Sequence, residues 1–504
     1  MSSSVLSCWF NGIDAKEVII ESDISKGSPF FNIVGLPEKS VKESKDRVST
    51  VLKNNGWVPM NKKIIVNLAP ADVKKTGSHF DLPIAISLLL EQNIIKEESL
   101  SDYIIMGELS LEGEIRRVNG VLSAGVLAKS KEKILIIPQQ NYNEASLIKG
   151  LKILNFKNIK EVVSFFKGEY TPQYQKEDNY SRQNNFHSIY DVDFSEVAGQ
   201  YHVKRALEIS SAGGHNVLMV GPPGSGKSML AKRIPTILPE MSLNEIIETT
   251  RIYSIANRLG ENRPFIKERP FRSPHHTISD IGLIGGGQPP SPGEVSLAHN
   301  GVLFLDEMPE FKRSALEVLR QPLEDREVSI VRASSSVKFP SRFILIGAMN
   351  PCTDTISGEE CPHYIRQRYY NRLSKPLLDR IDIIIEVPRV KVEEISSSEK
   401  RESSERIKKR VEKARNFQNQ RFGDSIKTNS LMNKKEIKKF VNLNESSKKL
   451  LNYSIERFSL SARSYDKIIK LSRTIADIEG EERILESHIA EAIQYRVYED
   501  SLLF

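Results

Sequence analysis

A chain of 504 residues with 39% hydrophobic and 27% charged side chains is too long for one ordinary core and has the composition of a soluble globular protein of two to four domains. Its net charge of +7 permits a polyanionic partner, but an excess spread so thinly argues weakly, and the placement of charge has to decide. Three cysteines, Cys8, Cys352 and Cys361, are too few for a disulfide framework and point to a reducing cytoplasm; the N-terminal stretch lacks a basic flank, and no apolar run is long enough to span a bilayer, so neither export nor membrane insertion is expected.

In the first 170 residues short strand-like runs (18–21, 30–34, 64–68, 104–106 and 134–137) alternate with helical spacing at 39–54 and 82–90, which predicts a mixed α/β domain. Two segments here, Thr76 to Leu90 and Gly107 to Gly120 followed by Val121 to Lys129, resemble the proteolytic domain of Lon proteases and its relative in the repair protein RadA, a fold similar to ribosomal protein S5. The resemblance implies a Ser–Lys dyad, but the serine position falls in the Phe80-Asp81 region and the lysine position near Leu122, and Ser78, Ser87 and Ser123 are out of frame. An inactive relative used for binding or assembly is therefore expected. His79, before a helix, reads as a cap or packing residue.

Residues 171–190 are polar and nearly free of aliphatic side chains, as in a linker. A new unit opens at Asp191, with a helix over 201–212 feeding the apolar run Val217 to Val220. The loop that follows, Gly221-Pro222-Pro223-Gly224-Ser225-Gly226-Lys227-Ser228, leads through Met229 into a helical stretch. Strand, glycine loop and helix start are what a triphosphate requires: glycines let backbone N–H groups converge on its oxygens, the helix N-terminus favours negative charge, Lys227 reaches the β/γ phosphates and Ser228 holds Mg²⁺.

The run Gly301 to Leu305 delivers Asp306 and Glu307, which suit the metal ion and the attacking water respectively. A third apolar run, Phe343 to Met349, ends in Asn350, suited to sensing the γ-phosphate. Between them, residues 326–338 alternate around a small-residue turn and predict a hairpin carrying Arg332 and Lys338 as DNA-contact candidates; the glycine- and proline-rich loop 282–292 is a second candidate. His275 and His276, adjacent in sequence, are expected to point apart and to serve structural hydrogen bonds. Beyond residue 390 the chain turns helical and charged, with a mixed-charge helix over 399–417 and apolar spacing at 461–478 and 486–498 that suits a small bundle.

The motifs Arg269 to Thr277, Gly285-Gly-Gly, Pro292 to His299 and Gly301 to Phe311 together resemble the ComM/YifB group of magnesium-chelatase-like AAA+ ATPases over nearly the whole chain. The resemblance implies an N-terminal S5/Lon-protease-like α/β domain without its dyad (1–170), a linker (171–190), an AAA+ P-loop NTPase core with a parallel sheet (191–390) and a helical lid (391–504). It further implies a trans-acting arginine finger at Arg380, a sensor arginine at Arg463, and the entry residues Val197 and His202 near the adenine. The activity implied is that of a hexameric, ATP- and Mg²⁺-dependent motor on branched, forked or single-stranded DNA, promoting branch migration in natural transformation; the alternative is a chelatase- or chaperone-like remodeller of a protein partner. Many family members carry paired Cys-x-Cys motifs after the sensor strand. Here Cys352, Asp354, Cys361 and His363 are what remains, and a metal-free loop is expected.

Overall fold

The computed structural model describes residues 4–57, 62–96, 100–172, 190–260, 263–332, 335–352, 362–390, 393–394, 401–424, 426–458 and 460–503. Two sheets organise them. In the first, β1 (Ser4–Asn11), β2 (Asp14–Ser25), β3 (Phe30–Val34), β4 (Lys63–Ala69) and β5 (Tyr103–Ile105) are joined, past a small hairpin of β6 (Glu108–Leu109) and β7 (Ile115–Arg116), by β8 (Ile134–Pro138) and β9 (Ile153–Phe156). The order is β3-β4-β2-β1-β5-β8-β9, with β2 antiparallel to both β1 and β4 and the remaining neighbours parallel.

Alternation along β2 turns Val18 and Ile20 inward, where the helix Asp81–Glu91, buried along nearly its whole length, covers the sheet. The helix Lys39–Asn54 follows the expected 3.6-residue spacing and buries Val41, Val48, Val51 and Leu52. Asp81, fully buried at the start of the helix Asp81–Glu91, is satisfied by Arg47 Nε of the helix Lys39–Asn54 at 2.6 Å and by the Leu109 amide at 3.1 Å. The strands β1 and β9 and the helix Ile159–Phe166 were not apparent in the sequence pattern.

The second sheet is wholly parallel, in the order β11-β14-β17-β10-β18, from β10 (Val217–Val220), β11 (Phe271–Arg272), β14 (Gly301–Leu305), β17 (Phe343–Met349) and β18 (Ile383–Glu386). Both faces are covered, so its strands are continuous apolar runs. Val217, Met219, Phe304 and Ile346 face the helices Tyr201–Gly213 and Lys227–Ile237 and the C-terminal bundle, whereas Leu218, Val220, Leu303 and Leu345 face a second core. The bundle's long members are Ser404–Phe422, Glu445–Arg457, Ala462–Glu479 and Glu486–Leu503.

Two hairpins project from this unit: β12 (Gly285–Gly286) with β13 (Ser291–Pro292), inside the glycine-rich loop, and β15 (Glu327–Arg332) with β16 (Ser335–Pro340). The second is the hairpin predicted from residues 326–338. Lys338 lies across from Ser329 and pairs with Glu327 at 2.5 Å. Arg332 adjoins the turn.

The two sheets meet through the helix Leu243–Ile255. Arg251 donates to the Ile13 carbonyl at 2.8 Å and pairs with Asp14 at 2.7 Å, and Ser254 Oγ accepts from the Gly120 amide and donates to Glu144, both at 2.8 Å. Ile13, Ile252, Leu297, Val337 and Phe339 close over one another as one apolar cluster. Gly12, at φ +65°, lies so near the hairpin that a Cβ there would stand 2.5 Å from the Lys338 carbonyl oxygen. Of the expected linker, residues 173–189 lie outside the described residues. No helix among the described residues is long and apolar enough to cross a membrane.

Candidate phosphate-binding site

The strands β10, β14 and β17 are adjacent and parallel, so the residues just beyond their C-terminal ends, Gly221, Asp306 and Asn350, open on the same edge. Gly224 and Gly226 take φ of +77° and +89°, a region that disfavours side chains, and a Cβ on Gly224 would meet nothing within 4 Å. Lys227 begins its helix with its ammonium folded back onto the loop, donating to the Gly221 carbonyl at 2.6 Å, the Pro222 carbonyl at 3.0 Å and Asn350 Oδ1 at 3.1 Å. Burial holds it below the ordinary lysine range, and the carboxylates of Asp306 and Glu307 oppose that shift.

Ser228 Oγ donates to Asp306 Oδ2 at 2.6 Å. A hydroxyl and a carboxylate brought together at a helix N-terminus are hard oxygen donors of the kind Mg²⁺ takes with phosphate, so this pair fits the ion. Glu307, more than half exposed, stands at φ +51°, a left-handed conformation that non-glycine residues adopt rarely. Its amide donates to Asp306 Oδ1 at 3.0 Å, and its carboxylate lies 3.5 Å from His276 Nδ1. Met229, which follows Ser228 in the helix, is exposed, and Ser225, within the loop, is buried.

The structure thus joins Lys227 to Asn350 and Ser228 to Asp306 in two direct contacts made by consecutive residues of one helix, with Glu307 next to Asp306. It does not bring Arg380 or Arg463 to them. Arg380 is largely buried and ion-paired with Glu324, donating also to the Pro376 carbonyl; Arg463 pairs with Asp379 at 2.8 Å. Val197 is buried and its carbonyl accepts from Lys204 at 2.7 Å, while His202 bonds the Glu386 carbonyl at 3.0 Å.

The expectation that His275 and His276 diverge is corrected: their ring centroids are 4.1 Å apart, because they lie in an irregular turn where the alternation of a strand does not apply. His275 bonds Thr277, and His276 packs edge-on to Phe311. Two contributors escaped the sequence reading. Gln200, at φ +53°, donates from Nε2 to the carbonyls of Ser225 (2.7 Å) and Pro388 (3.1 Å) and so fixes the loop from below, and Tyr369 donates to the Asn350 carbonyl at 3.1 Å.

The serines and the histidine of the front region are held in other bonds. Ser78 donates to Glu108, Ser87 to Ser22, and Ser123 to the Ile13 carbonyl, while His79 is buried against Phe10 and Phe80 with Nε2 on the Cys8 carbonyl at 2.9 Å. No group of three or more His, Cys, Asp or Glu positioned to hold a metal ion occurs among the described residues. Asp354 and Cys361 lie outside the described residues, as does the side chain of His363, while Cys352 is half-buried.

A parallel sheet of this order, with a central strand ending in Asn350 flanked on one side by the strand that leads into the glycine loop and on the other by the strand that ends in acids, places the unit in the AAA+ class of P-loop folds. Residues 20–141, 193–395 and 401–496 match the families described respectively as subunit ChlI of Mg-chelatase, magnesium chelatase subunit ChlI, and the C-terminal part of that subunit. The competence protein ComM of Haemophilus influenzae is 44% identical over 96% of this chain and 95% of its own length, and the uncharacterized protein YifB of Escherichia coli is 40% identical over 98% and 96%. The 38 kDa magnesium-chelatase subunit of Acidiphilium rubrum is 26% identical over 38% of this chain and 58% of its own length. The chain belongs to the ComM/YifB family of magnesium-chelatase-like AAA+ proteins.

Proposed function

We propose that the protein is a cytoplasmic ATPase that works as a ring of six copies and moves on branched, forked or single-stranded DNA, driving branch migration when imported strands are integrated during natural transformation. The observation that carries the hydrolytic part is the pair of hydrogen bonds from Lys227 to Asn350 and from Ser228 to Asp306, which bring the glycine loop to the ends of two neighbouring strands. The name of the Haemophilus relative supports the link to competence.

In this reading the loop from Gly221 to Met229, pinned by Gln200, receives the phosphates of ATP through its N–H groups from Gly224 onward, and Lys227 exchanges its loop carbonyls for phosphate oxygens. Ser228 and Asp306 hold Mg²⁺, which when bound neutralises charge on the phosphates. Glu307 orients the attacking water, and Asn350 reports the γ-phosphate through its contact with Lys227. Arg380 serves the neighbouring copy; on assembly it leaves Glu324 for that copy's phosphates, and Arg463 acts from the lid. Lys338, on the β15–β16 hairpin, and Arg332, whose side chain lies outside the described residues, are the candidates for contact with the DNA backbone without reading sequence.

The decisive experiment measures ATP turnover with and without forked and single-stranded DNA, in the natural chain and in Glu307→Gln. Stimulation by DNA, lost in the variant, is expected. Turnover indifferent to every DNA structure, together with no DNA binding, overturns the motor and favours a remodeller of a protein partner.

A further inference from the structure

A chamber of about 330 Å³ lies at the opposite edge of the parallel sheet, where β14 and β17 begin at Gly301 and Phe343, and the bundle helix Ser404–Phe422 closes its side. That volume lies at the small end of ligand sites and exceeds the roughly 30 Å³ a single water occupies. Its lining holds four guanidinium groups, Arg269, Arg326, Arg342 and Arg415, against three carboxylates, Glu240, Glu245 and Glu412.

The carboxylates are spoken for. Glu245 pairs with Arg269 at 3.1 Å and caps its own helix through Ser242. Glu240 pairs with Lys408 at 3.1 Å, Glu412 lies 3.9 Å from the same ammonium, and Arg342 is satisfied by Glu248 at 2.8 Å.

That leaves two cations whose hydrogen bonds go to backbone carbonyls. Arg415 donates from Nε and Nη2 to the Ser211 carbonyl, and Arg326 donates from Nη1 to the Phe343 carbonyl while its Nε has no partner. Asp382, the acid that attracts Arg326 through space, is taken by the Asn216 amide at 3.1 Å, His215 at 3.5 Å and Lys467 at 3.7 Å. Burial, reinforced by Arg269 and opposed by Glu245, pulls the Arg415 guanidinium down to about 9, and burial, opposed by Asp382, lowers Arg326 as well. Cations withdrawn from water are ordinarily matched by anions, and neither of these half-buried groups makes an ion pair among the described residues, Asp382 and Glu245 acting on them only through space. Asn419, one turn beyond Arg415 on the same helix, leaves its carbonyl oxygen unbonded in the same chamber, an acceptor that the hydroxyl of a protonated phosphate would satisfy.

We propose that this chamber is a second anion site, built for one oxyanion of the phosphate class, which Arg326 and Arg415 hold at the seam between the parallel sheet and the C-terminal helices. Guanidinium forks suit tetrahedral oxyanions because two N–H groups meet two oxygens at once. An anion there ties the helix Ser404–Phe422 to the starts of β14 and β17, so its occupancy sets how firmly the bundle is held. The site needs no DNA and shares no residue with the phosphate loop, so it stands or falls independently of the motor reading.

The test is equilibrium dialysis of the full chain carrying Lys227→Ala, which weakens the phosphate loop, against radiolabelled orthophosphate at constant ionic strength in chloride. One saturable equivalent is expected, with affinity reduced about tenfold or more by Arg415→Gln, the loss of one charge-assisted contact. Thermal unfolding supplies the second readout: orthophosphate raises Tm in the Lys227→Ala chain by mass action, and not after Arg415→Gln. Should Arg415→Gln fail to fold, Asn419→Asp keeps the proposal exposed, because a carboxylate one turn from Arg415 supplies the missing anion; it is expected to raise Tm and abolish phosphate binding together. Competition by ADP identifies the terminal phosphate of a nucleotide as an occupant, and its absence identifies the free ion. No saturable binding in the Lys227→Ala chain, or binding unchanged by both Arg415→Gln and Asn419→Asp, overturns the site.

Discussion

The front sheet and the parallel sheet both carry helices over strands and both collect serines, a lysine and acids near strand ends, yet they use them oppositely. Ser78, Ser87, Ser123 and His79 each turn a side-chain polar atom to another part of the fold, and Lys75 donates to the Pro70 carbonyl. At the parallel sheet the polar groups touch one another across loop and strand ends, and Glu307 occupies a conformation that its residue type avoids. The lesson is that residue types do not make a site. Groups poised for chemistry keep exposure, strain or exchangeable partners, whereas groups that hold a fold are buried and satisfied.

That contrast can be broken in order of expected effect. Glu307→Gln and Lys227→Ala should each lower ATP turnover by about two to three orders of magnitude while leaving the unfolding temperature nearly unchanged, because a general base or an electrostatic clamp is worth that much in rate and little in stability; steady-state kinetics beside thermal unfolding checks it. Arg47→Ala should do the reverse. It strands the buried Asp81 carboxylate and should cost about 3–5 kcal/mol of stability in denaturant unfolding, with turnover per folded molecule preserved.

His79 gives a smaller, pH-dependent effect. Burial lowers its folded pKa from 6.5 to about 4, so the unfolded chain binds the extra proton between those values. Stability from this group is complete above about pH 6.5 and is lost as pH falls towards 4, by up to about 3 kcal/mol, and His79→Gln should flatten that part of the profile. At the junction, Ser254→Ala removes the partner of the Gly120 amide and of Glu144, for an expected loss of about 1 kcal/mol. Smallest in rate but sharpest in meaning, Lys227→Ala copies mixed with Arg380→Ala copies should regain part of the turnover that each lacks alone; co-assembly without any regain argues against an arginine acting between copies.

Much of this architecture is legible in the sequence where the controlling forces are local. A glycine loop between an apolar run and a helix start is contiguous because backbone donors must converge within a few residues, and the runs before Asp306 and Asn350 are unbroken because both faces of their sheet are covered. The hairpin of β15 and β16 follows from alternation about a small-residue turn.

What stayed hidden depends on partners far along the chain. Gln200 gains its place from Pro388, Arg380 is held by Glu324, and the contact between Gly120 and Ser254 joins different sheets. Such pairs leave no period in either segment. The two histidines misled for the opposite reason: a rule for regular elements was applied to a turn.

The seat of the hairpin against Gly12 and Ile13 has a practical consequence. Val337, Phe339, Ile252 and Leu297 form a greasy footprint capped by the first β-turn of the molecule. A fragment beginning after residue 190 would carry that footprint bare into water and should clump when expressed alone, whereas a charged replacement at Phe339 would instead pry the hairpin loose within the intact chain.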